Sequence, residues 1–238
     1  MSRLAAALVG CIALSGASAQ PAPEALPPGL AGLLTPVPAA GSDTCGQPDP
    51  ARRDALYSQP RAEGAPVGHL RFGRSRKGGE DCELATPWFE PPSGEAMPLS
   101  PAPESSYETA AVVVLEDRGH WYRIAVPGGS AWLLAPPGDF RHDPYPALLV
   151  ERLAYATDAF DRQLCGRPEV QSCREIQIDP EAPLRVLDIR ATSDTAWLQV
   201  EFTHAPCDGS ADAVLHRGWI RAHGRQGRPA AWFHSRGC

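Results

Sequence analysis

The chain is nearly devoid of lysine: Lys77 stands alone against abundant arginine, a skew that fits a GC-rich bacterial genome better than a physical adaptation. No apolar run reaches the ~20 residues needed to cross a bilayer as a helix. The G-x-S-x-G, H-E-x-x-H and phosphate-loop signatures are missing, which removes the commonest hydrolase, zinc-protease and nucleotide-binding readings. Aspartate and glutamate are scattered, and no carboxylate pair is set out for glycoside hydrolysis. Positive charge is also in deficit, with a formal net charge of −6 over 238 residues. A chain this acidic is a poor candidate for binding nucleic acid or an anionic membrane surface.

What is there begins with export. Arg3, the apolar stretch from Leu4 to Leu14 and the small residues Ala17-Ser18-Ala19 read as a secretory signal peptide over residues 1–19. Its only charge is Arg3, so the mature chain stands at −7. Leu8-Val9-Gly10-Cys11 resembles a bacterial lipobox, and a lipid anchor at Cys11 is the alternative. Residues 20–41 are rich in Pro, Ala, Leu and Gly without periodicity and read as an extended linker.

The clearest structural unit runs from Tyr107 to Leu134. Ala111 to Leu115 is a short β-branched strand, and Glu116 to Gly119 a polar break. Trp121, Ile124 and Val126 mark a second strand, Pro127-Gly128-Gly129 a tight turn, and Ala131 to Leu134 a third strand. Short strands joined by tight turns predict an antiparallel meander. The same order recurs between Leu184 and Ile220. There an apolar run is followed by a polar break at Thr192 to Thr195, then Trp197, Leu198 and Val200. A longer turn from Thr203 to Arg217 then leads to Gly218, Trp219 and Ile220. The extra length falls in a loop, as insertions do.

This pattern resembles the bacterial Src-homology-3-like (SH3-like, SH3b) barrel. In that family "W-y-x-V" opens one strand and "G-W-[VI]" the next. The matches are Trp121-Tyr122-Arg123-Ile124 with Ala131-Trp132-Leu133, and Trp197-Leu198-Gln199-Val200 with Gly218-Trp219-Ile220. Ala131 departs from the usual glycine. The resemblance implies an all-β chain of two tandem small barrels with short antiparallel strands, at residues 84–140 and 146–238. Before them, residues 42–83 read as a partial β unit. Ala55-Leu56-Tyr57 and Val67 to Leu70 look like short strands there. The basic run Arg71 to Lys77 beside Glu80, Asp81 and Glu83 reads as a solvated hairpin tip, with a nucleic-acid arm as the alternative. The prolines between Ala85 and Leu99 exclude helix and central strand, and the resemblance puts the first barrel's opening strand there. Leu149, Leu153, Ala156, Phe160 and Leu164 have helical spacing, yet they fall where the second barrel should begin, which favours strand and loop. Ala231-Trp232-Phe233 reads as the final strand.

Loss of Cys11 with the signal peptide leaves six cysteines: Cys45, Cys82, Cys165, Cys173, Cys207 and Cys238. An even number in an exported chain implies disulfides. Proximity and repeat boundaries favour Cys45–Cys82, Cys165–Cys173 and Cys207–Cys238. His234-Ser235-Arg236-Gly237-Cys238 faintly resembles the nucleophile motif of L,D-transpeptidases, but its order is wrong and the following arginine is absent, so a disulfide at Cys238 is favoured. His204 and Cys207, with His216 and His223 further on, have metal-like spacing, but zinc would compete with a disulfide. No metal or cofactor is expected.

Trp121, Tyr122, Trp132, Trp197 and Trp219 read either as core packing or as a shallow aromatic groove that grips an extended peptide or glycan-peptide. Adjacent Trp121 and Tyr122 point to opposite faces of a strand. The expectation is a non-enzymatic, periplasmic or secreted binding protein. Its ligand would be a peptidoglycan peptide or an envelope protein, as the resemblance implies. Alternatives are an accessory subunit or inhibitor of an envelope enzyme, and a thiol-dependent envelope enzyme.

Overall fold

The computed structural model describes residues 27–37, 52–72, 86–99, 102–106, 109–150, 152–179, 182–192, 195–204 and 213–234. Among them the only helical elements are short 3-10 turns; the rest is strand and loop, an all-β chain. No helix of the described residues is long and apolar enough to cross a membrane.

The strands in the first half are β1 (Gly32–Pro36), β2 (Asp54–Tyr57), β3 (Gly68–Phe72), β4 (Pro87–Glu90), β5 (Met97–Pro98), β6 (Glu104–Ser106), β7 (Thr109–Ala110), β8 (Val112–Arg118), β9 (Trp121–Val126), β10 (Gly129–Leu134) and β11 (Phe140–Pro144). The second half holds β12 (Leu153–Ala156), β13 (Gln163–Cys165), β14 (Cys173–Glu175), β15 (Pro183–Ala191), β16 (Ala196–Thr203), β17 (Val214–Arg221) and β18 (Ala231–Phe233). One antiparallel sheet has the order β11-β1-β8-β9-β10-β2-β3-β4-β5, a second has β14-β13-β17-β16-β15-β12-β18, and β6-β7 form a separate ribbon.

Both expected meanders form, as β8-β9-β10 and β15-β16-β17. Local chemistry makes the first one. Asp117 Oδ1 accepts from the Gly119 N–H at 2.8 Å, closing the β8–β9 turn. Pro127 and Gly128, the latter at φ +79°, form the two-residue β9–β10 turn, with proline and glycine each in the place its backbone favours.

The duplication extends beyond the meanders. Read from the opposite edge, the second sheet runs β18-β12-β15-β16-β17-β13-β14, and the first seven strands of the larger sheet run β11-β1-β8-β9-β10-β2-β3. The chain enters these positions in the same succession each time. The larger sheet adds the β4–β5 hairpin at its edge. Registers agree too. Trp121, Tyr122, Arg123 and Ile124 pair with Leu134, Leu133, Trp132 and Ala131. Trp197, Leu198, Gln199 and Val200 pair with Arg221, Ile220, Trp219 and Gly218 in the same way. A bulge falls between Val114 and Glu116 in one copy and between Val186 and Asp188 in the other.

Three expectations are corrected. Gly32–Pro36, assigned by composition to the linker of 20–41, is a strand buried at every position between β11 and β8. Leu33 and Leu34 are apolar enough to be buried on both sides, and Pro36 ends the strand, where its missing N–H costs least. Residues 54–57 and 68–72 are not a separate unit: β2 pairs with β10 and joins the first sheet. The proline-rich stretch after Ala85 supplies the edge hairpin β4–β5 rather than the opening strand, which is β1. The helical spacing from Leu149 to Leu164 resolves into a locally bonded 3-10 turn (Ala147–Leu149) and the strands β12 and β13, which are held by pairing to distant strands.

Two cores result. One lies inside the first sheet around Leu34, Leu56, Leu70, Phe72, Ile124 and Leu133. The other fills the second unit and takes in Leu30, Leu33, Ala111 and Tyr145 from the first. Tyr145, with no exposed surface, donates its hydroxyl towards the Ala222 and Ala231 carbonyl oxygens at 2.9 and 3.0 Å. His223 Nε2 meets the Leu30 oxygen at 3.0 Å, and the Gly29 N–H donates to the Gly227 oxygen at 2.9 Å. The first unit packs on the second through the second of these cores.

Candidate functional site

Alternation along β9, β10, β2 and β3 sorts side chains onto two faces. Ile124, Ala131, Leu133, Leu56 and Leu70 point into the core. The outer face receives Trp121 and Arg123, Trp132 and Leu134, Tyr57, and His69 and Arg71, with Trp88 and Glu90 opposite them on β4. Tyr57 and Trp121 meet edge to face at 5.6 Å between ring centroids, and both are partly exposed. Leu134 and Val67, beside them, are 38% and 36% exposed. An apolar cluster open to solvent on an otherwise polar surface marks a contact site.

Arginines rim this cluster. Arg118 lies over Trp132 at 5.1 Å, and Arg71 over Trp88 at 5.6 Å. Glu116 bridges Arg118 at 2.6 Å and Arg123 at 3.0 Å, and those two guanidinium groups hold its carboxyl below the usual glutamate range. Arg53 pairs with Glu90 at 2.9 Å.

The second unit repeats the frame and closes it. Asp188, Arg190 and Trp219 occupy the places of Glu116, Arg118 and Trp132, with Arg190 over Trp219 at 5.2 Å. Cys165 pairs with Trp219 where Tyr57 pairs with Trp132. Cys165 is bonded to Cys173, as expected, and this bridge packs on Trp197 and Trp219. Those tryptophans are 3% and 6% exposed, and Arg221 covers Trp197 at 5.8 Å.

The five aromatic candidates are therefore not one groove. Trp197 and Trp219 form a closed cluster with the disulfide. Trp132 is 7% exposed beneath Arg118. Trp121 stands on the open outer face. Tyr122 turns inward, as adjacency requires, and its ring meets that of His142 at 4.8 Å. Tyr57 and Val67 did not stand out in sequence, because they reach the site only through the pairing of β2 with the distant β10 and of β3 with β2, whereas Leu134, Arg118 and Arg123 lie on the meander itself.

Tyr122 belongs to a small polar cluster on the inner side. His142 Nδ1 is 3.2 Å from Asp117 Oδ2. Burial pulls the imidazole below its usual range, against the opposing pull of Asp117 and Asp143, and burial followed by Asp117 raises the Tyr122 phenol. The His142 Nε2 is buried without a partner among the described residues, so close to Gly32 that an added Cβ there would lie 2.7 Å away. The pair thus faces backbone rather than a place where a substrate could sit. A cleft of about 430 Å³ lies elsewhere, lined by Met97, Leu99, Pro103, Val112, Val126 and Pro127 among others, with no acid, base or nucleophile among the described residues of its wall.

His216 lies in β17 and His204 just beyond β16, whereas His223 is engaged at the junction with Leu30. No group of three His, Cys, Asp or Glu able to hold a metal occurs among the described residues. Cys11, Cys45, Cys82, Cys207 and Cys238, with Ser235 to Gly237, lie outside the described residues, as do the signal segment and most of the basic run from Arg71 to Lys77. Comparison with protein-family models, curated proteins and solved structures returned no match to this chain.

Proposed function

We propose that this chain is an exported, non-enzymatic binding protein of the bacterial envelope, built from two SH3-like modules, which recognises a peptidoglycan peptide or an envelope protein. Support for the modules comes from the repeated seven-strand order and the matching registers around both tryptophan motifs. Support for export comes from the charge and hydropathy of residues 1–19.

The observation that carries the binding reading is the open aromatic pair Tyr57–Trp121, on a frame whose counterpart in the second unit is sealed by a disulfide. Partly exposed aromatics flanked by arginine are the residue types that dominate binding hot spots. The first module would carry the contact and the second would brace it. Co-sedimentation with purified sacculi and capture from detergent-solubilised envelope protein test this reading. Trp121→Ala and Tyr57→Ala should each abolish the retained signal with little change in melting temperature. Retention unchanged in both variants would remove the aromatic pair as the site.

A further inference from the structure

Resting on that reading, we infer that the outer face of the first sheet docks an extended acidic segment of a protein partner. Three features lead there. The first is charge. Among the described residues of this face, Arg53, Arg71, Arg118 and Arg123 stand against only Glu90 and Glu116. The chain as a whole carries −6, so this positive excess runs against its average. A face of one sign at an apolar cluster selects a partner of the other sign and repels its own.

The second is preorganisation. Arg118 and Arg71 lie over the indoles of Trp132 and Trp88. A guanidinium stacked on an aromatic face keeps its N–H edge available for a carboxylate and loses little freedom when one arrives. Glu116 now occupies the guanidinium groups of Arg118 and its unstacked neighbour Arg123. It acts as a placeholder that an incoming carboxylate must share or displace. The second unit has Gln199 where Arg123 stands, so it lacks one cation as well as the open aromatics.

The third is shape. Small ligands need a concave site that buries most of their surface. Tyr57, Trp121, Leu134 and Val67 lie on the outer side of a sheet, and none of them lines the 430 Å³ cleft. A sheet face with exposed Leu134 and Val67 beside an aromatic pair suits a strand-like segment whose alternate residues are apolar and acidic. The apolar ones would cover the cluster and the acidic ones would meet the arginine rim.

The full chain tests this with capped peptides that alternate valine with glutamate, with glutamine or with lysine. Binding is read from the indole N–H signals by NMR. The glutamate peptide should move the signals of Trp121 and Trp132 and leave those of Trp197 and Trp219 in place. Its affinity should fall as salt is raised. Arg118→Ala with Arg123→Ala should weaken it about tenfold, and Glu116→Gln should tighten it several-fold. Equal shifts with glutamine or lysine peptides, no shift with any peptide, or weaker binding in Glu116→Gln would overturn the inference. Capture of sacculi through Trp121 that ignores all three charge substitutions would overturn it too, while leaving the proposed function standing. Loss of no binding at all in Trp121→Ala would instead sink the proposed function.

Discussion

Replacing both Cys165 and Cys173 by alanine should cost the protein about 3 kcal/mol. The bridge closes a loop with a sequence separation of 8. In the chain-entropy treatment a loop of that size restrains the unfolded chain by about 2.5 kcal/mol at 25 °C. Cys165 is also 2% exposed and packs on Trp197 and Trp219. Loss of its buried sulfur adds something near the ~0.8 kcal/mol of a methylene. For a chain of this size, that sum lowers the melting temperature by roughly 6–12 °C. Guanidinium denaturation of the double variant, followed by tryptophan emission, supplies the measurement. The variant isolates this bridge, whereas a reductant would act on every cysteine pair. Emission should also shift to the red before the main transition, because Trp197 and Trp219 lose their cover. A cost below about 1 kcal/mol, or native emission identical to the wild type, would refute the view that the bridge closes the second unit.

Tyr145→Phe should cost about 0.5–1.5 kcal/mol, because it removes the buried hydroxyl shared by the Ala222 and Ala231 oxygens, while the Ala222 oxygen keeps the Ala230 N–H at 2.8 Å. Both units should destabilise together in calorimetry, since they share the core around that ring. Gly218→Ala should cost about 1–3 kcal/mol, because its Cβ would lie 2.8 Å from the Cys165 oxygen and 2.8 Å from Leu164 Cγ. Ala131→Gly, at the matching place, should cost only the ~0.5–1 kcal/mol of backbone freedom and lost methyl in a strand, as urea titration of both will show. His142 should make stability depend on pH. Its folded value lies below its unfolded one, so the unfolded chain binds the proton better. The contribution is full above about pH 6.5 and is lost as pH falls through the folded value. His142→Gln should flatten the fall in unfolding free energy over that window relative to wild type, and an unchanged slope would exclude His142 as its source.

The meanders were legible in the sequence because their determinants are local. Gly119, Pro127 and Gly128 set the turns, and the apolar runs fix which face is buried. The Cys165–Cys173 pair was legible for the same reason. What escaped depends on contacts between distant segments. Nothing within Gly32–Pro36 distinguishes a central strand from a Pro- and Ala-rich linker until Val112 to Val114 and Phe140 to Pro144 are placed on either side of it. Tyr57 reads as one more strand residue until β2 docks on β10 and sets it against Trp121. The aromatic pattern drew attention to the tryptophans but could not separate the sealed Trp197 and Trp219 from the partly exposed Trp121. Both copies carry the same order and register of motifs, and burial is decided by what lies alongside.

That neighbour is the hairpin that follows each unit's opening strand. In the second unit β13 presses onto β17 so closely that only glycine fits at 218, with backbone and Leu164 within 2.9 Å of the missing Cβ. Close approach brings Cys165 beside Trp219, and the bond to Cys173 fixes the hairpin there. In the first unit the position of Gly218 is taken by Ala131, and Tyr57 and Val67 stand where the cysteines would be. The added methyl at 131 goes into the core, where the residue is 1% exposed, and the hairpin carries an aromatic ring in place of a covalent tie. The loop from Ser58 to Pro66 is then held by a single strand-end hydrogen bond from Val67 N to Leu56 O at 2.7 Å. A frame closed by one buried methyl's worth of space and two cysteines in one copy is, in the other, left with its aromatics at the surface. Tyr57 and Trp121 remain partly exposed, where Trp197 and Trp219 of the second copy are buried. The same asymmetry explains why the acidic and basic partners differ between copies. Trp197 is covered and has Gln199 two residues on, whereas Arg123 stands beside the partly exposed Trp121 and, on the proposed function, would add to what a ligand meets.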